Sequence, residues 1–430
     1  MDWSAINNKL ASSATKYSFY FGDYDYKDYS KGKMAKKLPK QCVGWGRRAV
    51  DIRANKTKFD RFENDTLGFN ELFDKYNVIE AFDKIKDDIL VCGCGFLAVF
   101  QAVNGNKVFP FTAEEATGTF SWFEQNLSSG IAVYRSSTTK TSKKAISGAQ
   151  NRPDSYVEYL PDRTIVHQNI DGEDVAKVVP NAVGRPLMGL LTHKSTAKRP
   201  FGQSVLTKAA RSAIIDASRT ERQAMIAAYH YNTKVDVLLG VDSETAVNKV
   251  ESQTGDVLTV GTNDNGQAPQ IGQFAQHAMT PFSDTILIAA RNFCSDTKLS
   301  LANLGISSEA PQSTEALEIV SDDLRDDILT WQDELGEQLK YFAVTLFMYE
   351  QGIRTIDDNL REKINAEKPV FTSVFRQDVG KFGDGLQKIA TQVPDIVKAR
   401  SLWRHLGLTS DEIDTVIASA MTENQPVENS

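Results

Sequence analysis

The sequence predicts an α+β fold, mostly helical, on three observations. Apolar residues recur at helical spacing over two long stretches, Ser204 to Tyr231 and Ser313 to Gly352. β-forming residues on both sides of Asn104-Gly105 spell a hairpin. A compact β insertion, carried by Val235-Asp236-Val237-Leu238-Leu239 and Asp256-Val257-Leu258-Thr259-Val260, sits between two helices. At 430 residues the chain has the length of roughly three units of about 150 residues, yet the insertion interrupts one body instead of adding a bead to a string.

Composition removes several function classes. Lys and Arg number 49 against 56 Asp and Glu, for a formal net charge of −7 and a pI near 5.5. That balance excludes a protein that grips nucleic acid through a general cationic excess, so any contact with DNA must be local or weak. Cys42, Cys92, Cys94 and Cys294 are too few and too scattered for a disulfide framework. Cys92-Gly93-Cys94 has no second Cys/His pair nearby to complete a tetrahedral zinc site, so the thiols read as small residues of a reduced core. Met1-Asp2-Trp3-Ser4-Ala5 shows no basic segment followed by an apolar one, and no signal peptide is expected. The strongest apolar run, Tyr341 to Met348, falls far short of the ~20 residues that span a bilayer. A soluble cytoplasmic chain with no membrane partner is the expectation.

Taken in order, residues 1 to 40 are polar and tyrosine-rich, with Tyr17, Tyr20, Tyr24, Tyr26 and Tyr29 between Asp23, Asp25 and Asp28. The glycine and terminal glutamate of a calcium loop are missing there, so the segment reads as an aromatic arm packed on a neighbouring surface. From Lys40 to Phe82, Val43, Val50 and Ile52, then Phe69, Leu72, Phe73, Tyr76 and Val78, mark helices. Ile89 to Phe100 reads as a strand, followed by Lys107 to Phe111 across the Asn-Gly turn. Further short strands are expected at Ile131 to Tyr134, Tyr156 to Leu160 and Thr164 to Val166, with the lysine-bearing loop Ser136 to Lys144 between the first two.

After Pro200 one helix is expected from Ser204, as its N-cap, to Tyr231; Lys208, Arg211, Arg219 and Arg222 are its basic members. Past the β insertion, helical spacing resumes at Pro281, a good first-turn residue, and runs to Leu301. Asn303 to Gln312 is a polar break. Ser313 then caps a helix whose face is Leu317, Leu324, Ile328, Trp331, Leu335, Leu339, Phe342 and Leu346, ended by Gly352. Asp322, Asp323, Asp326 and Asp327 read as its solvated acidic side, since the Glu-x-x-His partner of a di-metal site is absent. Beyond Thr355 the chain is helical again; Thr409-Ser410-Asp411-Glu412 is a capping box, and Glu423 to Ser430 reads as a disordered tail.

Catalytic motifs fail one by one. Gly93-Cys94-Gly95-Phe96-Leu97-Ala98 has the spacing of a dinucleotide fingerprint, but that fingerprint must open a helix, and here the chain continues as strand. Gly202-Gln203-Ser204-Val205-Leu206 puts Leu206 where a nucleophile elbow needs glycine. No G-x-x-x-x-G-K-[ST] occurs, and His167, His193, His230, His277 and His405 share no ligand spacing. The residues predict a non-enzymatic assembly protein without metal or cofactor.

Four places together resemble the portal proteins of tailed double-stranded DNA bacteriophages, of the siphophage type, over nearly the whole chain. They are Gly44-Trp45-Gly46-Arg47-Arg48-Ala49-Val50-Asp51; Asp88 to Val99, similar to a helix end followed by a Gly-x-Gly-aromatic strand; Pro200 to Leu206 with Asp216-Ala217-Ser218-Arg219-Thr220; and Gln312-Ser313-Thr314-Glu315-Ala316-Leu317. Their order, with a β insertion between two helices, carries the resemblance more than any one motif. It implies a wing at 1–202, a first stem helix at 203–232, a clip at 233–277 and a second stem helix at 278–302. A tunnel loop, Leu304 to Gln312, and a long wing helix would fill 303–352, and a crown with the tail 353–430.

That resemblance implies a ring of this chain, usually twelve copies, at the capsid vertex of a virion, assembled in the host cytoplasm. DNA would pass through it during packaging and ejection. The implied partners are the terminase packaging motor, the head-tail adaptor, and capsid and scaffolding proteins. Candidate channel residues are Ser307, Ser308, Glu309 and Gln312 in the tunnel loop, with Arg291 and Lys298 on the second stem helix; candidate clip docking residues are Asp242, Glu244, Glu251 and Asp256. The short crown departs from the pattern. Two other readings stand beside this one: an α/β nucleotide-binding enzyme built on Gly93 to Ala98, and another head-tail connector component.

Overall fold

The computed structural model describes residues 13–30, 37–102, 105–134, 155–170, 173–231, 236–239, 248–252, 255–259, 270–273, 278–306, 314–372, 391, 399–405, 408 and 410–423. It mixes helix and sheet, with more strand than the sequence pattern predicts. The surplus comes from strands such as Ala116–Ser121 and Gln270–Gln273, whose small and polar residues carry little β signal of their own. Cross-strand pairing decides them.

The N-terminal part holds α1 (13–21), α2 (Trp45–Asn55), β1 (Phe59–Glu63), α3 (Phe69–Tyr76) and α4 (Val78–Cys92). Helix α4 absorbs Ile89 to Cys92, which the sequence presents as strand; a continuous apolar run fits either element. The helix stops where Gly93 takes φ +97° and its N–H closes on the Ile89 carbonyl at 2.7 Å. Only then does β2 (Cys94–Ala102) begin. It pairs antiparallel with β3 (Gly105–Thr112), through the register Ala102 with Gly105, and with β9 (Met188–Thr192).

A second antiparallel sheet is a meander of β4 (Ala116–Ser121), β5 (Asn126–Val133), β6 (Ser155–Tyr159), β7 (Arg163–Ile170) and β8 (Glu173–Pro180). It is fitted to the first sheet at Gly130, where a Cβ would lie 2.3 Å from Met188 Sδ on β9. The loop 136–144 lies outside the described residues.

The first long helix after Pro200, α5, spans Lys208–Tyr231, four residues shorter at its start than its periodicity predicts. Thr207, not Ser204, caps it, accepting the Ala210 N–H at 3.1 Å. Ser204 Oγ donates instead to the Val91 carbonyl at 2.6 Å and accepts the Leu206 N–H at 2.9 Å, holding the approach to the helix against the end of α4. Next come β10 (Asp236–Leu239), β11 (Asn248–Ser252), β12 (Gly255–Thr259) and β13 (Gln270–Gln273), with β10 paired to β13 and β11 to β12. Helix α6 (Thr280–Thr297), with Pro281 in its first turn, packs along α5 and ends before Leu301, where Lys298 takes φ +54°.

Helix α7 (Thr314–Gln351) has 38 residues and is about 57 Å long at ~1.5 Å per residue. Leu324, Ile328, Trp331, Leu335, Leu339, Phe342 and Leu346 are all buried, as their period predicts. Gly352, at φ +63°, ends it, while Ser313 lies outside the described residues. The chain then forms α8 (Asp358–Ala366), β14 (Lys368–Phe371), α9 (Arg400–His405) and α10 (Ser410–Glu423). This last part does not stand apart from the first: β14 pairs antiparallel with β1, and Arg61 reaches Asp411 at 3.0 Å and Asp414 at 2.6 Å.

The tyrosine-rich segment packs on its own chain. Tyr17, Phe19, Tyr24 and Tyr26 are buried in the common core. Tyr24 Oη lies 2.5 Å from Ser218 Oγ of α5 and accepts the Val43 N–H at 2.9 Å. Arg222 donates to Asp28 at 2.6 Å and to the Leu38 carbonyl at 2.9 Å, so two basic residues of α5, Arg219 and Arg222, are engaged by this strap rather than presented outward; Arg219 bonds the Lys27 carbonyl at 3.3 Å.

Candidate functional site

Four of the residues singled out by sequence are described, and they do not form one site. Arg291 is exposed on α6. Lys298, one residue past that helix, sends its ammonium to Asp327 at 3.1 Å. Glu251 and Asp256 stand opposite one another in the β11–β12 register. Asp242, Glu244, Ser307, Ser308, Glu309 and Gln312 lie outside the described residues.

What the fold does gather is a polar junction along one side of α7. Asp327, expected in solvent with Asp322, Asp323 and Asp326, is buried; the other three are exposed. Its position explains the difference. It falls three residues after Leu324 and four before Trp331, on the apolar stripe itself, a placement the helical period could have flagged. Three cations converge on it: Lys194 at 2.6 Å, Lys298 at 3.1 Å and Arg53 at 3.3 Å. Burial alone would raise the Asp327 pKa, but the Lys194 hydrogen bond and the charges of Lys194 and Arg53 outweigh it and hold the carboxyl down to about 2. Arg53 also donates to the Ala49 and Thr297 carbonyls, at 3.0 and 2.5 Å, so one carboxylate ties α2, the end of α6 and the loop after β9 to α7.

Further along the same helix, Trp331 Nε1 donates to the Thr192 carbonyl at 3.0 Å, and Gln338 Oε1 accepts the Thr192 N–H at 2.8 Å. Glu334 accepts the N–H groups of Lys194 and Ser195 at 2.9 and 3.0 Å, as well as both hydroxyls, Thr192 and Ser195. The end of β9 is therefore clamped by four side chains at positions 327, 331, 334 and 338. Their spacing of four, three and four keeps them on one face.

Glycine makes the crossing beneath this clamp feasible. A Cβ on Gly202 would fall 2.3 Å from the Gly93 carbonyl oxygen and 2.6 Å from that of His193; one on Gly93 would meet Gln203 N at 2.9 Å. The backbones are stitched here by His193 N–H to Gly93 O at 2.9 Å and Gln203 N–H to His193 O at 2.7 Å. The glycines of the apparent dinucleotide fingerprint thus serve packing, Gly93 against the backbone of Gln203 and Gly95 against the Ile85 and Ile89 side chains, and β2 leads into a hairpin, not into a helix N-terminus.

His193 is the buried titratable group of the junction. Its Nδ1, 2.7 Å from the Gln203 carbonyl, must be the protonated nitrogen, which leaves Nε2 bare and without a hydrogen-bond partner beside the Trp331 ring, 5.5 Å away centroid to centroid. Burial pushes the imidazole down to about 4 against the opposing effect of the Gln203 bond. The arrangement positions elements and holds charge; it presents no nucleophile with an adjacent base. Among the described residues no group of three His, Cys, Asp or Glu side chains is placed to hold a metal ion, and no helix is long and apolar enough to cross a membrane.

No protein-family model and no curated protein matches the sequence. Solved structures similar to the chain include one from the virion of a native gene transfer agent particle, 12% identical at a TM-score of 0.47, covering 94% of this chain and 98% of the other. A chain in the neck of the native particle computed with C12 symmetry is 12% identical at 0.43, covering 96% and 98%. A chain in the neck of the empty particle computed with C6 symmetry is 12% identical at 0.44, covering 93% and 97%.

Proposed function

We propose that this chain is a phage portal protein: a self-assembling ring at the capsid vertex through which DNA is packaged and ejected, and on which the packaging motor and the head-tail adaptor dock. The observation that carries the reading is the state of the paired helices α5 and α6. Met225, Ile226, Ala227 and Ala228 are consecutive on α5, so they point in directions about 100° apart, and each is exposed or half-buried. Met279, the residue before α6, and Ile288 on it are exposed as well. A helical stretch that is apolar all round belongs in an interior, and the described residues of one chain supply none. Neighbouring copies around an axis would.

The charge agrees with a conduit. A net −7 per copy makes the assembled ring acidic, which keeps DNA from binding through released counterions and braking its own passage. Of the basic residues on the stem pair, Lys208 and Arg291 remain exposed for transient contacts with phosphate. The buried junction at Asp327 supports the same role by fixing the end of the second stem helix to the long helix behind it.

Light scattering on the purified chain tests the reading. Twelve copies of a 47.7 kDa chain form a particle of about 570 kDa, and negative-stain images of it should show an axial hole. A monomer at every concentration would overturn the proposal.

A further inference from the structure

We propose that the tip of the β4–β5 hairpin is a plug that seats in a socket on a second copy of this chain. The inference rests on the self-assembly argued above, but names a contact that assembly alone does not require. Trp122 and Phe123 are adjacent at the tip; Trp122 is 58% exposed and Phe123 entirely so. Single exposed apolar residues are ordinary, whereas two neighbouring aromatics offered on a turn form a recognition surface.

The tip is held in place. Trp122 packs edge-on against Phe120 at 5.1 Å, Phe120 packs on Phe201 at 6.4 Å, and Gln125 takes φ +51° to turn the chain back into β5. Little ordering is left for binding to impose. The next residue, Glu124, accepts a 3.4 Å bond from the Tyr341 hydroxyl and has no cation within ion-pair distance among the described residues. The plug is therefore aromatic and acidic.

A socket of opposite character opens on the same molecule. A cavity of about 560 Å³ has Tyr341, Val344, Ile356 and Ile364 in its lining together with Arg185 and Arg354. Arg185 lies over the Tyr341 ring at 4.9 Å, and neither arginine has a carboxylate within ion-pair distance among the described residues. The volume lies within the range that apolar ligands fill, and Phe123, wholly exposed, does not occupy it in its own chain. Apolar surface meets apolar surface, and Glu124 meets two arginines that have no carboxylate partner among the described residues. Plug and socket are neighbouring but distinct patches that meet at Tyr341, and the contact, repeated head-to-tail from copy to copy, closes into a ring when the rotation allows.

The test uses the full chain with Cys42→Ser, which removes the exposed native thiol. Two forms with one exposed cysteine each, Phe123→Cys and Ile356→Cys, the native Cys92, Cys94 and Cys294 being buried, are mixed and oxidised; a disulfide-linked dimer that needs both forms is the expected result. Trp122→Ser with Phe123→Ser should raise the concentration for half-assembly about 30-fold, the effect of losing a hot spot of about 2 kcal/mol. Glu124→Arg should weaken assembly, with Arg354→Glu restoring it. A full-size ring that gives no mixed crosslink, or one indifferent to the double serine variant, overturns the plug while leaving the ring reading intact. A chain that stays monomeric overturns both.

Discussion

Arg53 and Asp327, 274 positions apart, meet at 3.3 Å with each side chain only 3% exposed, and Arg53 has no other carboxylate within ion-pair distance among the described residues. Asp327→Asn should therefore strand a buried guanidinium and destabilise the fold by about 3–5 kcal/mol. Asp323→Asn, exposed on the same helix, should change stability by no more than about 0.5 kcal/mol. Thermal denaturation of both variants decides this; equal, small losses would mean that the junction contributes little.

Acid should weaken the same region through His193. Its folded pKa, about 4, lies below its ordinary 6.5, so the unfolded chain takes up its proton first. The contribution is complete above pH 6.5 and is lost as pH falls through 4, up to about 3 kcal/mol. Asp88 opposes it. Burial pushes that carboxyl up to about 6, against the Tyr17 hydrogen bond, so its contribution is complete below about pH 3.8 and lost as pH rises through 6. Urea unfolding at pH 4.5 and 7.5 should show a smaller pH effect in His193→Gln than in the parent, and Asp88→Asn should be the more stable of its pair at pH 7.5.

Gly202→Ala should be among the most damaging single-methyl changes in the chain. The added carbon meets two backbone oxygens that cannot move aside, at a position already at φ +68°. Gly305→Ala shares the left-handed backbone but has nothing within 4 Å, and should cost only about 1–2 kcal/mol. Comparing soluble yield and Tm for the two separates close backbone contact from conformational strain; similar values would show that the crossing at Gly93 and His193 relaxes.

Removing Val241 to Gly255 deletes β11 while leaving the β10–β13 pair in the chain. Assembly to full size should survive, and docking of motor or adaptor should be lost. DNA packaging by such a variant at the parent level would remove the clip from the proposed docking surface.

The long helix was legible because its core residues obey one period from Leu324 to Leu346. The hairpin of β2 and β3 was legible from the Asn104-Gly105 signal because turn chemistry is local, although Gly105 itself pairs with Ala102 as the first residue of β3. The ionic junction was not, since Arg53, Lys194 and Lys298 come from three distant stretches that give no shared signal along the chain. Asp327 alone left a trace, by sitting on an apolar stripe. Ile89 to Cys92 were misread because a short apolar run has no period to distinguish helix from strand, and the left-handed turn at Gly93 settles it. The segment from Tyr17 to Asp28 was legible as a packed aromatic arm, but the surface it packs on was not, because its partners, Ser218 and Arg222, lie nearly two hundred positions away.

The pairing of β1 with β14 sets an order of events at the ribosome. Phe59 waits for Phe371, more than 300 residues later, and at 5–20 residues per second that wait lasts roughly 15 to 60 s. Through that interval the nascent chain carries an unpaired strand that contains Phe59 and Phe62, the kind of edge that recruits other strands. Overexpressed chains should accordingly aggregate during synthesis more than after release, and slower translation or added chaperone should raise the yield of native protein.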